Sequence, residues 1–287
     1  MFNIIEKRKI LFAIPCIIIL AGIICFIAFG GLNTDIDFTG GTAMEIELGE
    51  EFNEDAIRDA INPVEGVTVS SVQTSGAQKA IVKTTDIPHE KFVEVQEAVK
   101  AAFPAANITS VDSVSATMGQ EMWWGAAKAV FFAVLLMLIY ITFRFELLSG
   151  ISAICALIHD VLVIISFYAI FQLPVNTTFI AAILTILGYS INATIVVFDR
   201  VRENTRLIRK ESFENIVNKS VWQTLARSIN TTVTTLITLV CLYILGVTSI
   251  KQFMLPLLIG VTCGAYSSIF ISGQFWVLFK GSKKAQS

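Results

Sequence analysis

The sequence predicts a polytopic α-helical membrane protein: six transmembrane helices, with one extracytoplasmic α+β domain between helices 1 and 2. Three observations predict it. The 287 residues are 54% hydrophobic and 15% charged, with mean hydropathy +0.70, which leaves too little charge to solvate a soluble fold. Apolar runs long enough to span a bilayer, about 20 residues each, recur near 10–30, 124–143, 147–171, 177–198, 229–249 and 253–279. Between the first and second runs, Asn33 to Met122 is polar and carries sixteen acidic against five basic residues.

The first run is long for a signal peptide. "AFG" (Ala28 to Gly30) would permit cleavage, but removal would leave five spans, so the run is read as retained. Lys and Arg set the orientation. Lys7, Arg8, Lys9, Arg144, the seven basic residues from Arg200 to Arg227, and Lys280, Lys283 and Lys284 fall on one side, fourteen of the 21 in all. Both termini are therefore expected in the cytoplasm and the acidic region outside. The domains follow: 1–31, terminus and helix 1; 32–122, outer domain and connectors; 123–280, helices 2–6 with a basic cytoplasmic loop at about 199–228; 281–287, cytoplasmic tail.

Within the outer region, "DIDFTGGT" (Asp35 to Thr42) leads from the first span. Its Gly40–Gly41 pair permits positive φ and close backbone approach. No helix N-terminus or lysine follows, so a phosphate loop is excluded and a tight turn including Asp37 is read instead. "TAMEIEL" alternates with period two, and Asn53 caps the helical "NEDAIRDAI". "VTVSSVQTS" and "KAIVKTT" are β-branched runs joined at "SGAQ". "EKFVEVQEAVKAAF" places Phe92, Val95, Val99 and Phe103 on one helix face, Pro104 stops it, and "ITSVDSV" closes the set. That βαββαβ order is ferredoxin-like. The strands lack the aromatic residues and basic face that RNA recognition needs, so a docking or spacer domain is read and no nucleic acid is expected.

Three spans carry polar residues. In the fourth, Thr178, Ala182, Thr185, Tyr189, Asn192, Val196 and Asp199 step by four and three, with Ser190 and Thr194 beside them. In the fifth, Arg227, Thr231, Thr234 and Thr238 do the same, and the third holds His159–Asp160 near its middle. A charge at the bilayer centre costs about 2.5–3.5 kcal/mol, so Asp160 should face protein or water. The hydroxyls read equally as interhelical hydrogen bonds or as the lining of an ion path. Asp160 and His159 read as functional, or as a buried hydrogen bond to a Thr or Asn neighbour. Asp199, Arg200 and Arg202 mark the cytoplasmic boundary. Ser212 is expected to cap an amphipathic helix with Phe213, Val217, Val221 and Leu225 on one face, lying on the membrane surface or a partner. Cys16, Cys25, Cys155, Cys241 and Cys263 lie in spans and read as small apolar side chains; no disulfide, metal or cofactor is expected.

"DFTGGT", the six-span layout, "HD" in the third span, "GYSINATIVVFDRVREN" and "ARSINTTVTTL" together resemble the SecF family over nearly the whole chain. The resemblance implies half of a resistance-nodulation-division-type transporter in the bacterial cytoplasmic membrane, paired with a SecD-like subunit in a twelve-span unit. It implies action beside the Sec translocation channel on unfolded preproteins, driven by an ion gradient, generally of protons. It also implies that the polar faces of the fourth and fifth spans line the ion path, with an arginine at Arg227. The family commonly carries an acidic residue after "SIN", where this chain has Ala193. The titrating carboxylate would then be Asp160 or one on the partner. No catalytic residue and no enzyme activity are implied. Two other classes are open. Gly188-Tyr189-Ser190 reads as the GxS of a rhomboid-type serine protease, although no histidine follows it, and the polar stripes could serve a passive scaffold.

Overall fold

The computed structural model describes residues 4–50, 52–74, 78–207 and 211–284. The hairpin tip expected at "SGAQ" lies outside them at 75–77, as do 208–210 of the basic loop and 285–287 of the tail. The chain divides into two compact units, Met1–Asn33 with Lys128–Ser287, and Thr34–Ala127.

The smaller unit starts from Asp35. Its carboxylate accepts the Ile36 amide at 2.7 Å, capping a one-turn helix α1 (Ile36–Thr39), and pairs with Lys83 Nζ at 2.8 Å. The Gly-Gly turn follows, with φ of +75° at Gly40 and +134° at Gly41. A Cβ on Gly40 would lie 2.8 Å from the Ala116 backbone, and one on Gly41 would lie 2.5 Å from the Thr84 carbonyl. Both glycines are thus required by conformation and by space. Strands β1 (Gly41–Glu47), β2 (Val69–Thr74), β3 (Lys79–Thr84) and β4 (Asn107–Val114) form an antiparallel sheet of order β2-β3-β1-β4. Helices α2 (Glu54–Ile61) and α3 (His89–Ala102) cross between strands, α2 capped by the Asn53 side chain. The alternation in β1 buries Met44 and Ile46, with Leu48 just beyond; they pack with Ile57, Ile61, Val82, Val95, Val99 and Phe103. Phe92 packs at the edge of that core.

Six helices among the described residues are long and apolar enough to cross a membrane. In order they are α4 (Arg8–Ala28), α5 (Ala116–Arg144), α6 (Leu147–Phe171), α7 (Thr177–Leu207), α8 (Phe213–Leu245) and the pair α9 (Thr248–Phe270) and α10 (Ser272–Lys284), broken at Ile271. Hydropathy alone placed several ends differently. The segment 199–228 is largely helical, because α7 continues to Leu207 and α8 begins at Phe213 on its Ser212 cap. Arg, Glu and Leu sustain a helix after the apolar run has ended. Phe213, Val217 and Val221 therefore belong to the same helix as the fifth span, with Val217 and Val221 packed inside the unit. The turn before the last span is at Gly246–Val247, so the short gap left between the runs 229–249 and 253–279 is already helical.

The centre of the bundle is α7 against α9, with α6 behind them and α4 against α6. Small residues set these approaches. A Cβ on Gly22 would overlap Ser166, its backbone Cα included, and one on Gly260 would overlap Ile186. Such close contact replaces the hydrophobic drive that is missing between helices in lipid. Gly22→Leu is expected to destabilise the protein in detergent by about 1–3 kcal/mol through overpacking. Gly188→Ala, where a Cβ meets no described atom within 4 Å, is expected to be neutral or stabilising. Thermal unfolding of the two variants checks this.

Candidate functional site

Asp160 is fully buried at the centre of the bundle. Its Oδ2 accepts Ser190 Oγ of α7 at 2.5 Å and Ser267 Oγ of α9 at 2.8 Å. Its Oδ1 is 3.0 Å from His159 Nδ1 and accepts the Cys263 thiol at 3.3 Å. One carboxylate thus holds three helices together, with partners on both oxygens. A buried carboxylate tolerates low dielectric only when so bonded or when protonated. The close approach of α9 depends on Gly264, where a Cβ would lie 3.1 Å from Ser190 Cβ. His159 is 10% exposed, and its Nε2 is buried without a hydrogen-bond partner among the described residues.

The second polar group lies on another face of α7. Tyr189, Asn192, Ala193, Val196, Arg227, Ser228 and Thr231 line a groove of about 80 Å³ between α7 and α8. The Tyr189 hydroxyl reaches the Thr231 carbonyl and Thr235 Oγ1, each at 3.4 Å. Asn192, Arg227, Thr231 and Thr234 are exposed on the chain taken alone. The hydroxyls of Thr231, Thr234 and Thr238 donate to carbonyls one turn back in α8. These donors are satisfied within their own helix, and the Thr231 oxygen keeps its lone pairs available to the groove.

The candidate residues therefore fall into two sets. Ser190 and Asn192 are two positions apart, about 200° around a helix, so they look in opposite directions. His159, Asp160 and Ser190 meet in the interior; Tyr189, Asn192, Arg227 and Thr231 meet at the groove; Thr194 is buried on the interior side and Thr234 is exposed on α8. Cys263 and Ser267 were not singled out in the sequence. The available signal was their spacing of four beside Gly260 and Gly264, which puts polar and small residues on one face of α9.

Asp199, Arg200 and Arg202 knit helix ends. Asp199 Oδ1 lies 3.5 Å from Arg144 Nη2, Arg200 donates to Gln223 and Glu203 at 2.6 Å each, and Arg202 donates to the Arg144 carbonyl at 3.1 Å. Asn204 extends the network to Ser220 and Gln223. Glu146 caps α6 and accepts Trp276 Nε1 at 2.8 Å and Lys280 at 3.1 Å. Asp37 and Gly40–Gly41 belong to the turn of the smaller unit.

The profile of the family described as "Protein export membrane protein SecD/SecF, C-terminal" matches residues 94–282. The chain is 37% identical to the protein translocase subunit SecF of Alicyclobacillus acidocaldarius, over 97% of this chain and 93% of that one. This chain belongs to the SecF family. It is also 35% identical to the SecF subunit of Acidaminococcus fermentans, over 99% of both chains. The SecDF subunit of Bacillus subtilis is 37% identical over 96% of this chain, which spans 38% of that longer protein. Among solved structures, SecDF of Thermus thermophilus, described as a translocon-associated membrane protein, superposes with a TM-score of 0.88 at 30% identity. That likeness covers 98% of this chain and 39% of the other. As a SecF-family member with six such helices, the chain is a multi-pass protein of the bacterial inner membrane. The GxS serine does not carry a protease geometry: Ser190 is fully buried and its hydroxyl donates a hydrogen bond to Asp160.

Proposed function

We propose that the chain acts as the SecF-type accessory subunit of Sec preprotein translocation, and that Asp160 is the carboxylate through which it uses an ion gradient, by binding and releasing a proton. The full-length likeness to SecF subunits supports the first part; the fully buried carboxylate bonded to α6, α7 and α9 supports the second. Asp160 takes a proton from one side of the membrane and returns it to the other. Protonation removes one acceptor site from a carboxylate that four side chains share, so the packing of α6, α7 and α9 differs between the two states. Moving one charge through about 100 mV supplies roughly 2.3 kcal/mol, enough to bias such a two-state packing. With Ala193 at the usually acidic position, α7 shapes the route without titrating in it. The work is mechanical, with no covalent chemistry.

The Arg227 groove belongs to the same reading as the face toward a SecD-like subunit. An exposed arginine among Asn192, Thr231 and Thr234 is costly against lipid and needs a protein or hydrated neighbour. The SecDF relatives, in which a SecF-like part is covalently joined to more chain, support such a partner. The strand order β2-β3-β1-β4 with two crossing helices supports a ferredoxin-like domain for the smaller unit. The Lys and Arg distribution supports its extracytoplasmic position, with both termini, the 199–228 segment and the 281–287 tail in the cytoplasm. There it would engage preproteins leaving the channel.

Affinity isolation of the tagged chain from native membranes in mild detergent tests the assignment. Recovery of a SecD-like chain together with the translocation channel is expected. Recovery of neither would remove the basis for the partner assignment.

A further inference from the structure

The geometry points to a binding site for a soft divalent cation, of the zinc or cadmium class, formed by His159, Asp160 and Cys263. One donor atom from each of these residues lies within 4.8 Å of the others, and the three come from α6 and α9, which are distant in sequence. The two distances to Asp160 Oδ1, 3.0 Å from His159 and 3.3 Å from Cys263, are close to those of ligands on one metal. Tetrahedral zinc, with bonds of about 2.0–2.3 Å, keeps its ligand atoms about 3.3–3.6 Å apart. Only small side-chain shifts separate the two arrangements.

The donor types favour this class of ion. A thiolate and an imidazole select zinc, cadmium or cobalt over magnesium and calcium, which prefer oxygen. Charge balance favours it too. A divalent cation held by the Asp160 carboxylate and the Cys263 thiolate makes a neutral unit, so the cost of burying charge is largely cancelled. Binding displaces the thiol proton to solvent. The carboxylate is already oriented, because Ser190 and Ser267 hold its other oxygen at 2.5 and 2.8 Å, the support that metal-bound carboxylates usually have.

The donors are also reachable from a crevice. The His159 side chain is nine-tenths buried, and its Nε2 has no partner among the described residues. It lines a crevice of about 250 Å³ that Cys263 also lines, with Ile14, Pro15, Val163 and Tyr266. The crevice therefore offers an approach to both donors. No local pattern points to this, since five cysteines scattered through apolar spans look like packing residues. The fold brings Cys263 to Asp160 across 103 positions. The inference concerns metal binding alone and stands whether or not Asp160 couples an ion gradient.

Titration of the purified full-length chain with Co²⁺ alone tests it. A thiolate-to-cobalt charge-transfer band with the visible absorption of a tetrahedral site is expected, and Zn²⁺ should displace it. Cys263→Ser should abolish the charge-transfer band, Cys155→Ser should retain it, and His159→Gln should weaken binding about tenfold or more. Absence of the band in the unaltered chain, or its survival in Cys263→Ser, would overturn the site. A readout that needs no variant is alkylation of Cys263 by a membrane-permeant maleimide, followed by peptide mapping. Zn²⁺ should slow it at least tenfold; equal rates with and without Zn²⁺ would contradict the proposal.

Discussion

Asp160→Ala is expected to destabilise the helical unit by about 2–5 kcal/mol, whereas Asp160→Asn is expected to cost markedly less. The alanine variant removes the shared acceptor of Ser190, Ser267 and Cys263 and the neighbour of His159, and opens a cavity where α6, α7 and α9 meet. Each buried polar group left without a partner costs about 1–3 kcal/mol, and serines can recover part of that by bonding to their own helix. Ser267 already has the Gly264 carbonyl at 3.2 Å. Asparagine keeps the volume and one acceptor oxygen, so most of the hydrogen bonds survive. Thermal unfolding in one detergent, compared across the two variants, reads the difference. Equal destabilisation would mean that the carboxylate's hydrogen bonds contribute little to the packing.

The next largest effect is expected in the smaller unit. Asp35 and Lys83 form an ion pair at 2.8 Å with each side chain about 10% exposed. Asp35→Ala leaves an ammonium buried without its counter-charge and removes the cap on Ile36, and loss of one partner of a buried pair costs about 3–5 kcal/mol. Hydrogen exchange of the intact chain reads this locally. Core amides of β1 and β3 should exchange roughly a hundred- to several-thousand-fold faster, while α6, α7 and α9 stay unchanged. The double variant Asp35→Ala/Lys83→Met should recover part of the protection, because no unpaired charge remains. Unchanged protection in Asp35→Ala would mean that the pair contributes little.

What could be read in advance follows from how local each signal is. The alternation that buries Met44, Ile46 and Leu48, the Asn53 and Ser212 caps, and the apolar face of Val95, Val99 and Phe103 need only neighbours in sequence, and the structure has them. The length of a helix past its apolar run is less legible, which is why α7 and α8 extend into a stretch that hydropathy marks as loop. The site was half legible. Asp160 was conspicuous as a carboxylate in a span, and the polar stripe of α7 was visible as a period. Period gives a face but not the neighbour that the face meets. Ser190 sits one position from Tyr189 and two from Asn192, yet it turns toward Asp160 while they line the Arg227 groove. Ser267 and Cys263 are more than a hundred residues from Asp160, and no local pattern records that approach. The motif turn shows the same limit: Asp37 stood out in "DIDFTGGT", but Asp35 makes the buried ion pair, because Lys83 arrives through the β1–β3 pairing.

As proposed, the carboxylate of Asp160 couples an ion gradient to export. Preprotein translocation into membrane vesicles, with and without an imposed proton gradient, tests it most directly when Asp160→Asn is compared with the unaltered chain at equal assembly. The gradient is expected to accelerate translocation by the unaltered chain, and Asp160→Asn is expected to lose this acceleration while its gradient-independent rate persists. An Asp160→Asn variant that assembles normally and responds to the gradient as the unaltered chain does would contradict it.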